Sequence, residues 1–250
     1  MQSLRKLFQG LGFLLEGFRI LKTHPHLLVF VIIPLTIDVA AFAGGVFLGT
    51  TFVSAWVASA LSLVITPAAG IWYSVFYYPL LALLWVAFLV VLGYAVFLIG
   101  AVIASPFHSL LAERTLMKLG ALQTTPFNLR ASLRAGFTMF KISLKKMLVF
   151  AVLGVVILVC SFIPIVNIAA SFAACMIVAF DAMDYSFELK EWGLSQRFAF
   201  FKAELPLFLG MSMALGLTLL IPGLTLLFYP VAVVGAASNL SQSKRLREGI

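Results

Sequence analysis

Residues able to do chemistry are few and widely spaced in this 250-residue chain. His24 and His26 are one residue apart, and a His-x-His pair holds a metal only with a third ligand, so the two read as polar residues of a turn. His108 has no neighbouring Cys and no close His partner, and reads as a structural hydrogen-bonding residue. Asp38 is the only acid between Lys22 and Glu113. Its carboxyl group is open to two readings, a proton or ion relay or a neutral, hydrogen-bonded group. Glu113, followed by Arg114, is either half of a surface ion pair or, as we expect, a buried partner for a cation from another segment. No Gly-x-Ser-x-Gly, His-Glu-x-x-His or phosphate-binding loop occurs, so hydrolase, zinc protease and nucleotide-driven pump chemistry lack support. No catalytic residue, metal or cofactor is expected.

The elements that must hold these residues are apolar. The chain is 63% hydrophobic and 10% charged, with a mean hydropathy of +1.12, whereas soluble domains carry about 25% charged residues. Charge is absent from 74 residues between Asp38 and Glu113, 34 between Lys146 and Asp181, and 39 between Glu204 and Lys244. Runs of that length belong in a bilayer. Cys160 and Cys175 lie in one of these tracts and read as small core residues. At the N-terminus Leu4, Leu7, Phe8, Leu11, Leu14, Leu15, Phe18 and Leu21 recur at helical spacing among polar residues, which predicts an in-plane amphipathic helix over 1–22. Arg19, Lys22 and Glu16 interrupt this segment, so it is not a cleavable signal peptide.

Spanning helices are predicted over 27–65 and 72–104, each longer than the roughly 20 residues that a bilayer core requires. Gly45 and Gly49, four apart in the first, permit close helix approach at a dimer face or in internal packing. The segments 147–180 and 205–240 differ, because Ile163-Pro164 and Ile221-Pro222 fall near their middles. Proline interrupts helices, so each reads as a Pro-centred hairpin or a pair of short spans. Every Lys and Arg lies in the N-terminal segment, in 105–146, in 181–204 or in the C-terminal tail. By the positive-inside rule these share the cytoplasmic side with both termini. Ser105 and Pro106 suit a helix N-cap and first turn. From Asn128, Arg130, Arg134, Lys141 and Lys145 lie opposite an apolar stripe, a basic amphipathic helix suited to anionic lipid. The net charge of +8 is thereby accounted for without nucleic acid.

Four blocks carry a family resemblance: Ile33-Pro34-Leu35, Pro106-Phe107-His108-Ser109-Leu110-Leu111-Ala112-Glu113, Met183-Asp184-Tyr185-Ser186-Phe187, and Ile221-Pro222 followed by Pro230-Val231-Ala232-Val233-Val234-Gly235-Ala236. In this order they resemble the CysZ family of bacterial inner-membrane proteins, related to the etoposide-induced membrane proteins. The resemblance implies two long transmembrane helices, two hemi-penetrating hairpins, sulfate uptake for cysteine synthesis, and a homo-oligomer. It singles out Glu113, Asp184, Pro164 and Pro222 as structural or assembly residues, and Asp38 where the family usually has Asn. The family's sulfate site is associated with a Pro-Gly-apolar-Arg-Arg turn, and the matching positions here are Pro25-His26-Leu27-Leu28, without arginine. The candidates for binding a small inorganic anion are therefore Arg19, Lys22, His24 and His26.

The expectation is a single all-α integral membrane domain of the inner membrane over 1–250: two long transmembrane helices, two Pro-centred hairpins and amphipathic cytoplasmic helices. It would act as a permease or channel for sulfate or a related anion, with Ser161, Asn167, Ser171, Ser212, Thr218 and Thr225 along a sparse polar route. A membrane scaffold or assembly protein that transports nothing is the competing class.

Overall fold

The computed structural model describes residues 2–63, 70–122, 145, 148–219 and 224–243, and all secondary structure among them is helical. In chain order these are α1 (Gln2–Leu11), α2 (Phe13–Thr23), a 3-10 turn (Pro25–Leu28), α3 (Val29–Ser62), α4 (Ile71–Lys118), α5 (Leu148–Ser161), α6 (Pro164–Leu189), α7 (Leu194–Ala203), α8 (Leu205–Leu219) and α9 (Leu224–Gln242). Three stretches, Pro25–Ser62, Ile71–Val96 and Pro164–Leu189, are long and apolar enough to cross a membrane, and α7 with α8, bent by 85°, makes a fourth if it counts as one span. This is a multi-pass membrane protein.

The described chain forms two compact units, one of Ile32–Ser105 and one of Met1–Val31 with Pro106–Ile250. In the first, the glycines of α3 fit side chains of α4. Gly45 lies against Leu92 and Gly49 against Phe88, each too close to admit a Cβ, while Gly44 has open space around it. Gly45 and Gly49 therefore serve packing within the chain. Further along the pair, the Asp38 carboxyl group lies against Gly100, which leaves no room for a side chain there.

The second unit is built on five helices. α1 packs on α8 and α2 on α9, with α6 against both α8 and α9. Both outer crossings are made by glycine. Gly10 meets the backbone of Leu207, Gly210 and Met211, and Gly17 meets the backbone of Val231 and Gly235. With no Cβ at the crossing point, backbones touch directly and neighbouring side chains interdigitate around them. Phe13, Met183, Phe187, Phe208 and Met211 fill the core beneath, fully buried.

Two expectations change. The N-terminal segment is a pair of helices joined at Gly12, and it has two apolar faces. Phe13, Leu14, Ile20 and Leu21 are buried in protein, while Leu4, Phe8 and Leu15 are exposed. Helical periodicity alone merges the face that packs with the face left over for lipid. Ser105 and Pro106 start no helix, because α4 runs through them to Lys118. Proline removes one backbone hydrogen bond, which a long helix tolerates when its other bonds persist. Pro164, in contrast, sits in the first turn of α6. Pro222 and most of the basic helix expected from Asn128 lie outside the described residues.

The glycine crossings give a direct test. Gly10→Val should force α1 off α8 and cost about 3 kcal/mol, read as a lowered melting temperature of the purified protein in detergent. Gly12→Ala, whose Cβ would meet only ordinary contacts, should stay within about 0.5 kcal/mol.

Candidate functional site

Polar side chains of the second unit gather where the apolar helices end. α6 stops at Leu189, Glu191 takes the left-handed conformation at φ 56°, and the Gly193 N–H donates to Gln196 Oε1 at 2.8 Å as α7 begins. This turn folds Arg197 back over α6. Its Nη1 lies 2.6 Å from Asp184 Oδ1 and 3.8 Å from Glu188 Oε1, and its Nε donates to the Trp192 carbonyl at 2.9 Å. Arg197 is 0% exposed. A buried guanidinium is tolerable only with such partners, and removing one side of the pair strands the other charge.

The sharp corner between α7 and α8 carries Glu204, which is buried and paired with Lys6 of α1 at 2.7 Å. One turn along α1, Gln9 Nε2 donates to Asn239 Oδ1 of α9 at 3.1 Å and to Gln242 Oε1 at 3.4 Å. These contacts flank the Gly10 crossing, so the polar ties and the glycine packing hold the same register.

A third cluster joins α4, α6 and α9. Tyr229 donates to Asp181 Oδ2 at 2.5 Å, and the His108 ring packs edge-on against Tyr185 at 5.6 Å and Tyr229 at 5.1 Å. His108 is 6% exposed, and its Nδ1 has no hydrogen-bond partner among the described residues. Burial pushes its pKa down to about 4, against the opposing pull of Asp181. The imidazole is therefore neutral at physiological pH.

The four anion candidates are close in sequence and lie at the end of α2 and in the turn that follows. Arg19 is paired with Glu16 at 3.2 Å and remains 77% exposed. Lys22 and His26 are exposed. His24 Nδ1 lies 3.0 Å from Thr23 Oγ1, and the His24 and His26 rings meet edge-on at 5.9 Å. Among the described residues no group of three His, Cys, Asp or Glu side chains could hold a metal. Leu27, in the turn after α2, is fully buried with Ile20, Leu21, Val31, Leu111, Val231 and Val234. The turn is thus anchored by an apolar plug.

Glu113 is half-buried, and no cation pairs with it among the described residues. Among the described residues, buried acids meet cations at Asp184 with Arg197 and at Glu204 with Lys6. The sequence reading named Asp184 without its partner. Arg197 was legible only as a lone cation just beyond the Trp192-Gly193 turn, thirteen residues from Asp184. The hydroxyls expected along a polar route bond largely to their own helices: Ser161 to the Ile157 carbonyl at 2.8 Å, Ser212 to Phe208 at 2.7 Å and Thr218 to Leu215 at 2.7 Å. Ser171 bonds Asn167 at 3.3 Å, and both side chains are exposed.

Residues 13–230 match the family described as Sulfate transporter CysZ/Etoposide-induced protein 2.4. The chain belongs to this family. Among its relatives, a sulfate transporter CysZ of Pseudomonas fluorescens (strain Pf0-1) is 28% identical over 238 residues, covering 91% of this chain and 90% of the relative. Similar proteins of that name from Pseudomonas aeruginosa (strain LESB58) and Pseudomonas syringae pv. tomato are 26% and 27% identical, each again over 91% of this chain. The family match extends from Phe13 in α2 to Pro230 in α9, so it takes in the elements that carry Arg197, Asp184 and His108. These relatives are named for transport and not for catalysis.

Two outcomes follow from the clusters. Arg197→Met should cost about 3–5 kcal/mol by stranding Asp184, and the double variant with Asp184→Leu should recover much of that loss; chemical unfolding in detergent measures both. His108 makes stability pH-dependent, because from about pH 6.5 down to about pH 4 the unfolded chain binds a proton there that the folded chain excludes. Melting temperature should fall as pH is lowered through that window, and His108→Gln should flatten the dependence.

Proposed function

We propose that this protein is a permease or channel of the bacterial inner membrane that takes up sulfate or a related small anion for sulfur assimilation, working as a homo-oligomer with both termini in the cytoplasm. The observation that carries this reading is the family match across 13–230 together with full-length relatives named sulfate transporters. The confinement of every Lys and Arg to four segments supports the orientation. The two segments centred on Pro164 and Pro222 act as hairpins that enter the bilayer partway and bound the route, since broken helices present unpaired backbone groups at membrane depth.

In this reading Arg19, Lys22, His24 and His26 form the cationic approach at the end of α2. They supply long-range attraction and hydrogen bonds from a surface that stays wet, in place of a desolvated arginine fork. A dianion held that way is held loosely, which suits passage better than storage. Asp38, against Gly100 in the long helix pair, adds a negative charge or a neutral carboxyl group to the spanning region.

Leu27 favours a second reading. A turn that carries no arginine and is anchored by a buried leucine is what a scaffold with no sulfate site would retain for packing. Flux separates the two. Protein reconstituted in liposomes should take up radiolabelled sulfate or thiosulfate faster than empty vesicles, and the double variant Lys22→Gln with His26→Gln should lower the apparent affinity by about tenfold. Vesicles with no flux of any tested anion would leave the scaffold reading standing.

A further inference from the structure

The unit of Ile32–Ser105 contains one charged side chain, Asp38, and no Lys or Arg. The packing of α3 on α4 fixes where that charge lies. Gly45 against Leu92 and Gly49 against Phe88 set the register of the two helices, and the same register brings the Asp38 carboxyl group onto Gly100. A Cβ at position 100 would collide with Asp38 Oδ1, so glycine there leaves a notch in α4 that the carboxyl group occupies. The Asp38 side chain is half-buried. Neither a hydrogen bond nor an ion pair reaches it among the described residues.

Its depth follows from the aromatic residues at the other end of the helix pair. Tyr77 stacks on Tyr73 at 5.6 Å and meets Tyr78 edge-on at 5.4 Å, and Trp72 and Tyr78 are exposed beside them. Tyrosine and tryptophan gather where the bilayer meets water. Gly100 follows Tyr77 by 23 residues, about 34 Å of helix, against a hydrocarbon core of about 30 Å. With the aromatic cluster at one interface, Asp38 and Gly100 stand at the headgroup level of the other. A charge is far less costly there than at the bilayer centre, and lipid headgroups supply the cation that this helix pair lacks.

The neighbouring surface narrows the kind of headgroup. Val39, Ile99 and Val102, next to the notch along both helices, are exposed, and acyl chains cover such side chains. An anionic headgroup finds no Lys or Arg in this unit and meets the Asp38 charge instead. A quaternary ammonium headgroup brings charge without an N–H to donate, and charge-assisted hydrogen bonds are the strong ones. We propose that the notch of Asp38 and Gly100 is a binding site for a phospholipid with a primary ammonium headgroup. The ammonium group donates to the Asp38 carboxylate, and the acyl chains lie along α3 and α4. The site goes beyond the transport reading and does not depend on it.

Thermal melting of the full chain in detergent tests this, with added dioleoyl phosphatidylethanolamine as the probe. The matching phosphatidylcholine, the matching phosphatidylglycerol and free ethanolamine are the comparators. Phosphatidylethanolamine should raise the melting temperature saturably, by about 3 °C more than phosphatidylcholine does, and neither of the other two should match it. Asp38→Asn, which keeps the shape of the side chain, should abolish the difference between the two zwitterionic lipids. Gly100→Ala, which pushes the carboxyl group out of its notch, should reduce it. The melting curve of each variant without lipid shows that it is folded. The proposal is overturned if phosphatidylcholine stabilises as well as phosphatidylethanolamine, if Asp38→Asn keeps the preference, or if free ethanolamine alone reproduces the effect. An oligomer mass that changes with Asp38→Asn, without any lipid preference, also overturns it by assigning the cation to a second copy. A chain that carries no sulfate but keeps the Asp38-dependent lipid preference leaves the site standing, so failure here and failure of the transport reading are distinct.

Discussion

Direct backbone contact at two glycine crossings, Gly10 on Gly210 and Gly17 on Gly235, sets the geometry on which the larger unit depends. Contacts of this kind hold through many weak dispersion interactions that fall away steeply with separation. They also fix register, because a helix displaced by one residue would bring a side chain to the crossing point. The consequence reaches the polar groups. Lys6 meets Glu204 and Gln9 meets Asn239 only because α1 crosses α8 where Gly10 allows it.

The buried charges obey the same economy. Arg197 is surrounded by Asp184, Glu188 and the Trp192 carbonyl, and the role of this group is placement of the turn between α6 and α7 more than net stability. His108 solves the opposite problem by shedding its charge, since its ring is enclosed by Tyr185 and Tyr229 and its pKa is pushed to about 4. Arg19, Lys22 and His26 remain exposed at the end of α2 and in the turn that follows. The family relationship gives those residues a transport context, and the buried Leu27 anchors the turn beside them.

Much of the fold was legible because bilayer physics writes large signals. Uncharged tracts located α3 and α4, while Pro164, read as a break near the middle of its tract, stands in the first turn of α6, where its fixed φ suits a helix start. Pro106 misled for the same reason, since a proline inside a long helix differs from one at its start by context that local spacing does not carry. The N-terminal segment was legible as amphipathic, but Phe13, Ile20 and Gly17 face protein while Leu4 and Leu15 do not, and periodicity does not say which solvent each face meets. Less of the candidate site could be read. Asp184 announced itself through its block, whereas Arg197 required knowledge of which turn returns it to α6. Asn239 and Gln9 are ordinary amides, 230 residues apart in sequence, and only the crossing brings them together.

The most direct test of this account is hydrogen exchange of the protein in nanodiscs. If the glycine crossings organise the unit, amides of α1 and α2 exchange as one cooperative block with those of α8 and α9, as slowly as the core does, and Gly10→Val releases α1 from that block. Rapid, independent exchange of α1 and α2, as expected of a helix pair resting on lipid alone, would contradict it.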